Sequence, residues 1–183
     1  MSAQPEITAL SNTDSPRRMR PVSLVRLLVS LLLFLLMVRI AWMGDDALIT
    51  LRAILNLTHG WGPGFNAFEA VQSSTHPLWF LLWMGVGSLT GDWFVPILLL
   101  SAALASGAVY LILQRVRNVV AVIAMATALA LSNAFMEYSS SGLENSLAYM
   151  FVALLIVMTT RSLPFTTATA CLVGITAAGL ILT

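Results

Sequence analysis

Long apolar runs along the chain alternate with short polar joints. Leu24–Trp42, Trp93–Leu113, Val119–Phe135, Leu147–Met158 with its polar flanks, and Pro164–Leu182 each approach the apolar length of a spanning helix, which is about 20 residues. Pro77–Thr90 is shorter and holds Gly85 and Gly87; that length suits a re-entrant or surface-lying segment. The pattern predicts an all-α, polytopic transmembrane protein with about five spans, because helices satisfy every backbone group inside lipid. Residues 1–21 are polar and read as a disordered tail, and residues 22–183 as one membrane domain. The connection 44–92 is the long one. Within it Leu48, Leu51 and Leu55 recur at helical spacing, with Thr50, Asn56 and His59 on other faces. This predicts a short amphipathic helix lying on the membrane surface, ended by the turn residues Gly60, Gly62, Pro63 and Gly64.

Composition agrees and adds a direction. The chain is 58 % hydrophobic and 9 % charged, against roughly 25 % charged in soluble domains. All nine basic residues are arginine. Short cytoplasmic loops are rich in basic residues, so Arg17, Arg18, Arg20 and Arg26 set the N-terminus inside, and Gly44 emerges outside. If Pro77–Thr90 does not cross, Arg115, Arg117 and Arg161 also fall inside. Asp45, Asp46, Glu69, Asp92, Glu137 and Glu144 then fall outside. The expected location is the cell membrane, multi-pass, with a cytoplasmic N-terminus. Trp42, Trp61, Trp79, Trp83 and Trp93 all lie between the first and second spans. That suits an outer loop resting on the interface, which tryptophan favours; alternatively Trp79 and Trp83 face lipid in a short span. No small-residue cleavage site follows Val38, so an uncleaved anchor is expected rather than a signal peptide or a twin-arginine leader at Arg17–Arg18. Cys171 is the lone cysteine and forms no intrachain disulfide. The last apolar run stops at Thr183 without a polar tail, as a truncated chain would.

The chemistry gathers in the long loop. Asp45 and Asp46 follow the first span at once. Asp46 could simply cap the helix that begins there, which leaves Asp45 unexplained. Adjacent carboxylates repel, and burial favours keeping a proton on one of them; a carboxylate near neutrality can take a proton from a hydroxyl. Arg52 on the same helix and Arg39 one turn inside the membrane either snorkel to lipid phosphate or stabilise a phosphate leaving group. Glu69 and the run Gln72–His76 lead into Pro77, a favourable first helical residue. His76 is either a hydrogen-bonding loop residue or a phosphate contact. Asp45, Asp46, Glu69 and His76 could offer ligands to a divalent cation, but their spacing matches no metal motif, and no metal site is assigned.

The order DD-x-LIT-x-R, then N, G-x-G-x-x-FN, E-x-V and T-HPLW, followed much later by SSSGLEN, resembles the C-type glycosyltransferases. Within that group it is most similar to the terminal arabinofuranosyltransferases of actinobacterial cell walls. The likeness covers Gly44–Trp79 and Ser139–Asn145; elsewhere only hydrophobicity matches. HPLW is similar to the HPPL element of protein O-mannosyltransferases, with Leu78 in place of the second proline. The resemblance implies a polytopic enzyme that takes a sugar from a polyprenyl-phosphate donor outside the cytoplasmic membrane. It implies that Asp45 is the general base and Asp46 a positioner, that inversion accompanies transfer to a polysaccharide, and that Glu144, from the family's GLE element, faces the same outer cavity. Arg39, Arg52, Glu69, His76 and Glu144 are the candidate donor- and substrate-binding residues. Glu144 has an alternative reading as a helix-start carboxylate ahead of Leu147. Family members have more spans and a soluble outer domain, and an Arg-Pro-acid element that would begin beyond Thr183.

Two other functions stay open. One is a transferase of the same superfamily that moves mannose to protein or another glycan. The other is a non-catalytic scaffold or transporter. A transporter places ionisable residues within its spans, whereas here the charges gather at span ends. The expected partners are the lipid-linked donor, a polysaccharide acceptor and the bilayer; no nucleic acid is expected.

Overall fold

The computed structural model describes residues 21–68, 75–160 and 166–183. The polar tail, Glu69, Gln72 and Arg161 lie outside the described residues. Eight helices account for most of the rest: α1 Pro21–Ile40, α2 Asp45–Thr58, α3 Pro77–Thr90, α4 Val95–Leu113, α5 Val119–Leu131, α6 Asn133–Ser140, α7 Asn145–Thr160 and α8 Thr167–Ile181. The described chain is all helix and turn.

Local sequence explains the ends. Proline sits in the first turn of α3 and of α4, where its missing N–H costs nothing. Gly91 closes α3 with φ +72°. Asp92 Oδ1 accepts the N–H groups of Phe94 and Val95 at 2.8 and 3.3 Å. Asn118 caps α5, and Thr166 and Thr169 form a reciprocal capping box on α8.

The fold packs around α4. Ala102, Ala105 and Ala108 on α4 are buried, and Gly107 has Met150 of α7 where a Cβ would stand, 2.9 Å away. Small residues let helices approach closely, the usual source of cohesion where lipid is as apolar as the partner helix. One core joins α1, α4, α5 and α6 through Leu33, Met37, Ala105, Val109, Val122 and Met136. The other joins α2, α3, α4 and α7 through Ile54, Trp79, Trp83, Ile97 and Leu147.

Three bonds set the direction of each helix. Arg26 Nη2 donates to the Val116 carbonyl at 2.7 Å, which places the start of α1 beside the end of α4. Arg115 Nη2 donates to the Val157 carbonyl at 2.9 Å, adding the end of α7. At the other end, the Leu78 N–H donates to the Leu182 carbonyl at 3.0 Å, so the end of α8 meets the start of α3. The chain therefore traverses the bundle through α1, α4, the α5–α6 pair, α7 and α8. Helix α3 starts on the Gly142 turn through Trp79 and leads through Trp93 into α4, whose Leu98 packs near the same glycine.

The expected number of full-length spans is not reproduced. Among the described residues two helices, α1 and α4, are long and apolar enough to cross a membrane, or three if α5 and α6 form one broken span. Val119–Phe135 reads as one apolar run, yet the chain bends by 72° at its end. There the Ser132 hydroxyl accepts the Phe135 N–H at 3.3 Å and starts a new helix. Helices α7 and α8 have 16 and 15 residues, about 24 and 22 Å at the α-helical rise.

The tryptophans also differ from expectation. Trp42 and Trp61 are exposed, but Trp79 and Trp83 are fully buried in protein. Each indole finds a carbonyl: Trp79 Nε1 donates to Gly142 at 3.0 Å and Trp83 Nε1 to Trp93 at 2.8 Å. A satisfied N–H is what makes burial of the whole ring favourable. Helix α2 correspondingly buries Ala47, Leu51, Ala53 and Ile54 against these rings, while Leu48 of the anticipated membrane-facing stripe is exposed and Leu55 half-buried.

Candidate active site

Two segments nearly a hundred residues apart in sequence are fastened together. The N–H groups of Trp42 and Gly44 donate to the carbonyls of Ser140 and Ser141 at 3.1 and 3.0 Å. Gly142 lies in the left-handed region at φ +77°, and a Cβ there would stand 2.8 Å from Met43 Sδ and 3.5 Å from Ala47 Cβ. With the Trp79 bond to its carbonyl, this turn seats the GDD, HPLW and SSSGLEN segments on one another. Ser139, Ser140, Ser141 and Ser146 are buried; the hydroxyls of Ser140, Ser141 and Ser146 donate to the carbonyls of Met136, Tyr138 and Ser139 at 2.8, 3.4 and 3.2 Å.

Beside this turn opens a cleft of about 450 Å³. Asp46 and Thr50 line it from α2, Thr75 and His76 from the approach to α3, Tyr138 from α6, and Glu144 and Asn145 from the α6–α7 turn. His76 Nε2 lies 3.1 Å from Glu144 Oε1. Glu144 is half-buried, which strengthens that contact relative to one in open water.

Asp45 and Asp46 are the first two residues of α2, and Gly44 occupies the cap position without a side-chain bond. Asp46 therefore does not cap the helix. Both carboxylates still benefit from the positive end of the helix dipole, by roughly 0.3–1 kcal/mol each. Both are exposed. Among the described residues the Asp46 carboxylate has no hydrogen-bond partner, so it faces the cleft unengaged. Asp45 does not line the cleft. It shares an exposed stripe of α2 with Leu48 and Arg52, three and seven residues on, beside Ile49, which lines the cleft.

Arg52 is committed elsewhere. Its Nε donates to the Phe65 carbonyl at 2.9 Å, and its guanidinium lies 4.5 Å from the centre of the Phe65 ring. Asn56 Nδ2 donates to the Gly64 and Phe65 carbonyls at 2.8 and 3.1 Å. Together they hold the glycine-rich turn closed over a second hollow of about 430 Å³, which Arg52 lines with His59 and Trp61. Arg39 is exposed near the end of α1 and lines neither hollow. The structure thus brings Asp46, His76 and Glu144 together and leaves Asp45, Arg39 and Arg52 outside the cleft. Glu69 lies outside the described residues.

Known proteins point the same way. The chain is 31 % identical over 127 residues to a terminal β-(1→2)-arabinofuranosyltransferase of Mycobacterium tuberculosis, covering 62 % of this chain and 20 % of that protein. It is 53 % identical over 38 residues to the enzyme of the same name from Corynebacterium glutamicum, covering 21 % of this chain and 6 % of that protein. The chain is similar to glycosyltransferases. It spans about a fifth of the length of the first relative. No family model and no solved structure matches it.

The cleft contains the parts for proton transfer: a free carboxylate, a histidine held by a second carboxylate, and neighbouring hydroxyls. Among the described residues no three His, Cys, Asp or Glu side chains gather as a metal site. Sequence reasoning singled out Asp46, His76 and Glu144 but not Tyr138 or Asn145. Tyr138 directly precedes SSSGLEN and Asn145 is its last residue, so position at the edges of a recognised motif was the available signal.

Proposed function

We propose that this protein is a membrane glycosyltransferase that moves a sugar, arabinofuranose, from a polyprenyl-phosphate donor to a cell-wall polysaccharide on the outer face, with inversion. The observation that carries the reading is the convergence of Asp46, His76 and Glu144 in one cleft, from segments that resemble one enzyme group. The partial similarity to terminal arabinofuranosyltransferases supports the sugar.

In this reading one carboxylate of the pair takes the proton from an acceptor hydroxyl. The oxygen bonds to the anomeric carbon of the donor as the bond from that carbon to phosphate oxygen breaks, and polyprenyl phosphate departs. The transition state has oxocarbenium character, as in glycoside hydrolysis. Geometry favours Asp46 over Asp45 as the base, since Asp46 lines the cleft. His76, oriented by Glu144, offers its ring to the donor phosphate, where a fixed donor stabilises the charge that develops on leaving. Arg39, Arg52 and Glu69 remain candidates for headgroup contacts beyond the cleft. The described spans support an enzyme over a transporter: α4 carries no ionisable side chain except Tyr110, and the arginines of α1 lie near its ends.

The test is transfer from a synthetic polyprenyl-phosphoryl arabinofuranose to an oligoarabinoside by membranes carrying the protein. Transfer that is lost in Asp46→Asn at equal membrane abundance supports the proposal. Absence of transfer by the unaltered protein, or full transfer by Asp46→Asn, overturns it.

A further inference from the structure

The end of the bundle away from the Asp46 cleft holds a second polar hollow, of about 520 Å³. Ser23 and Arg26 of α1 line it, with Gln114 and Arg117 from the α4–α5 joint. Arg26 spends one terminal nitrogen on the Val116 carbonyl at 2.7 Å. Its Nε is buried and has no partner among the described residues. A buried guanidinium N–H without an acceptor is costly, and no carboxylate supplies one: the acidic residues of the described chain, Asp45, Asp46, Asp92, Glu137 and Glu144, all lie toward the other end. Two arginines therefore share a concave site that no carboxylate of the described residues reaches.

We infer that this hollow binds the phosphate of an anionic phospholipid in the leaflet at that end. Three features favour a lipid over a free anion. The hollow sits at the paired ends of α1 and α4, the two described helices long and apolar enough to cross a membrane. Arg26 is only five residues from the start of α1, about 8 Å along the axis. Leu27, four residues on from Ser23 and so on the same side of α1, is exposed, and offers an apolar surface next to the hollow that suits an acyl chain. Arginine matches phosphate oxygens with its planar fork of donors, and basic hollows between spanning helices are a common way to hold anionic headgroups. The inference is independent of the proposed transfer reaction.

The test is thermal unfolding of the purified protein in a neutral detergent, titrated with phosphatidylglycerol, phosphatidylcholine or inorganic phosphate at constant ionic strength. Saturable stabilisation by phosphatidylglycerol alone is expected. Arg117→Gln, whose side chain makes no hydrogen bond among the described residues, should raise the lipid concentration for half effect about fivefold, the worth of one surface arginine. Arg26→Gln should abolish the effect; if that variant does not fold, Arg117→Gln decides alone. Equal stabilisation by phosphatidylcholine, an equal effect of inorganic phosphate, no effect of phosphatidylglycerol, or an unchanged midpoint in Arg117→Gln would each overturn the inference.

Discussion

At the residue scale, two neighbouring aspartates have been given different surroundings by one turn of helix. Successive helical residues point about 100° apart, so Asp46 enters the cleft while Asp45 joins the exposed stripe with Arg52. In transfer assays Asp46→Asn should lose on the order of 10²–10⁴ in rate, the usual contribution of a general base, while Asp45→Asn should retain most of it. The reverse ranking, measured at equal protein abundance, would return the base to Asp45. His76 and Glu144 act as one unit at 3.1 Å. Their single changes, His76→Ala and Glu144→Gln, should therefore be non-additive: the double variant should transfer no more slowly than the worse single one. Additive losses in that cycle would separate the two roles. The identity of these three residues was legible in the sequence because each stands in a quoted motif. Their grouping was not, because it depends on where the α6–α7 turn docks. Nor could spacing reveal that Arg52 would be drawn to the Phe65 carbonyl.

At the element scale, the decisive feature is the turn at Gly142. Helix α2 is placed by backbone bonds from Trp42 and Gly44 to the serine run, and α3 by the Trp79 indole on the same turn. Gly142→Ala should destabilise the protein by about 1–2 kcal/mol from the left-handed backbone alone, and more because the new methyl meets Met43. Detergent unfolding midpoints should show this, with transfer falling in parallel as the cleft walls separate. A midpoint equal to that of the unaltered protein would mean the turn is not the fastening. Gly87 is a similar contact inside α3, where a Cβ would overlap the Trp93 ring. Helix limits marked by local chemistry were readable in advance: α3 runs Pro77–Thr90 as anticipated, with Pro77 at its start. The break at Ser132 was not, since apolarity runs on through Phe135 and only a side chain bonding back to the backbone divides α5 from α6. Burial of Trp79 and Trp83 was missed for a related reason. Hydropathy ranks a ring by its surface, and what decided here was a carbonyl sixty-three residues away for one indole and ten for the other.

At the scale of the molecule, charge is divided between the two ends. The described acidic residues stand with the cleft, and Arg26, Arg115 and Arg117 stand at the opposite end. Because α4 starts near Gly142, where Leu98 packs, and ends beside Arg26, Asp92 belongs to the cleft side and Asn118 to the arginine side. Arginine-rich joints favour the cytoplasm, so the cleft should face outward. Single cysteines test this directly. In a Cys171→Ser background, Asp92→Cys in intact cells should react with a membrane-impermeant maleimide, and Asn118→Cys should react only after permeabilisation. Each change removes a helix cap and costs about 1 kcal/mol, too little to invert a chain held by α1 and α4. If both positions label from outside, α4 does not cross. If the pattern is reversed, the cleft faces the cytoplasm, and a glycosyl donor displayed on the outer leaflet could not reach Asp46. The sidedness of one connection thus bears on the reaction itself, because the proposed base and the lipid-linked donor must share a leaflet.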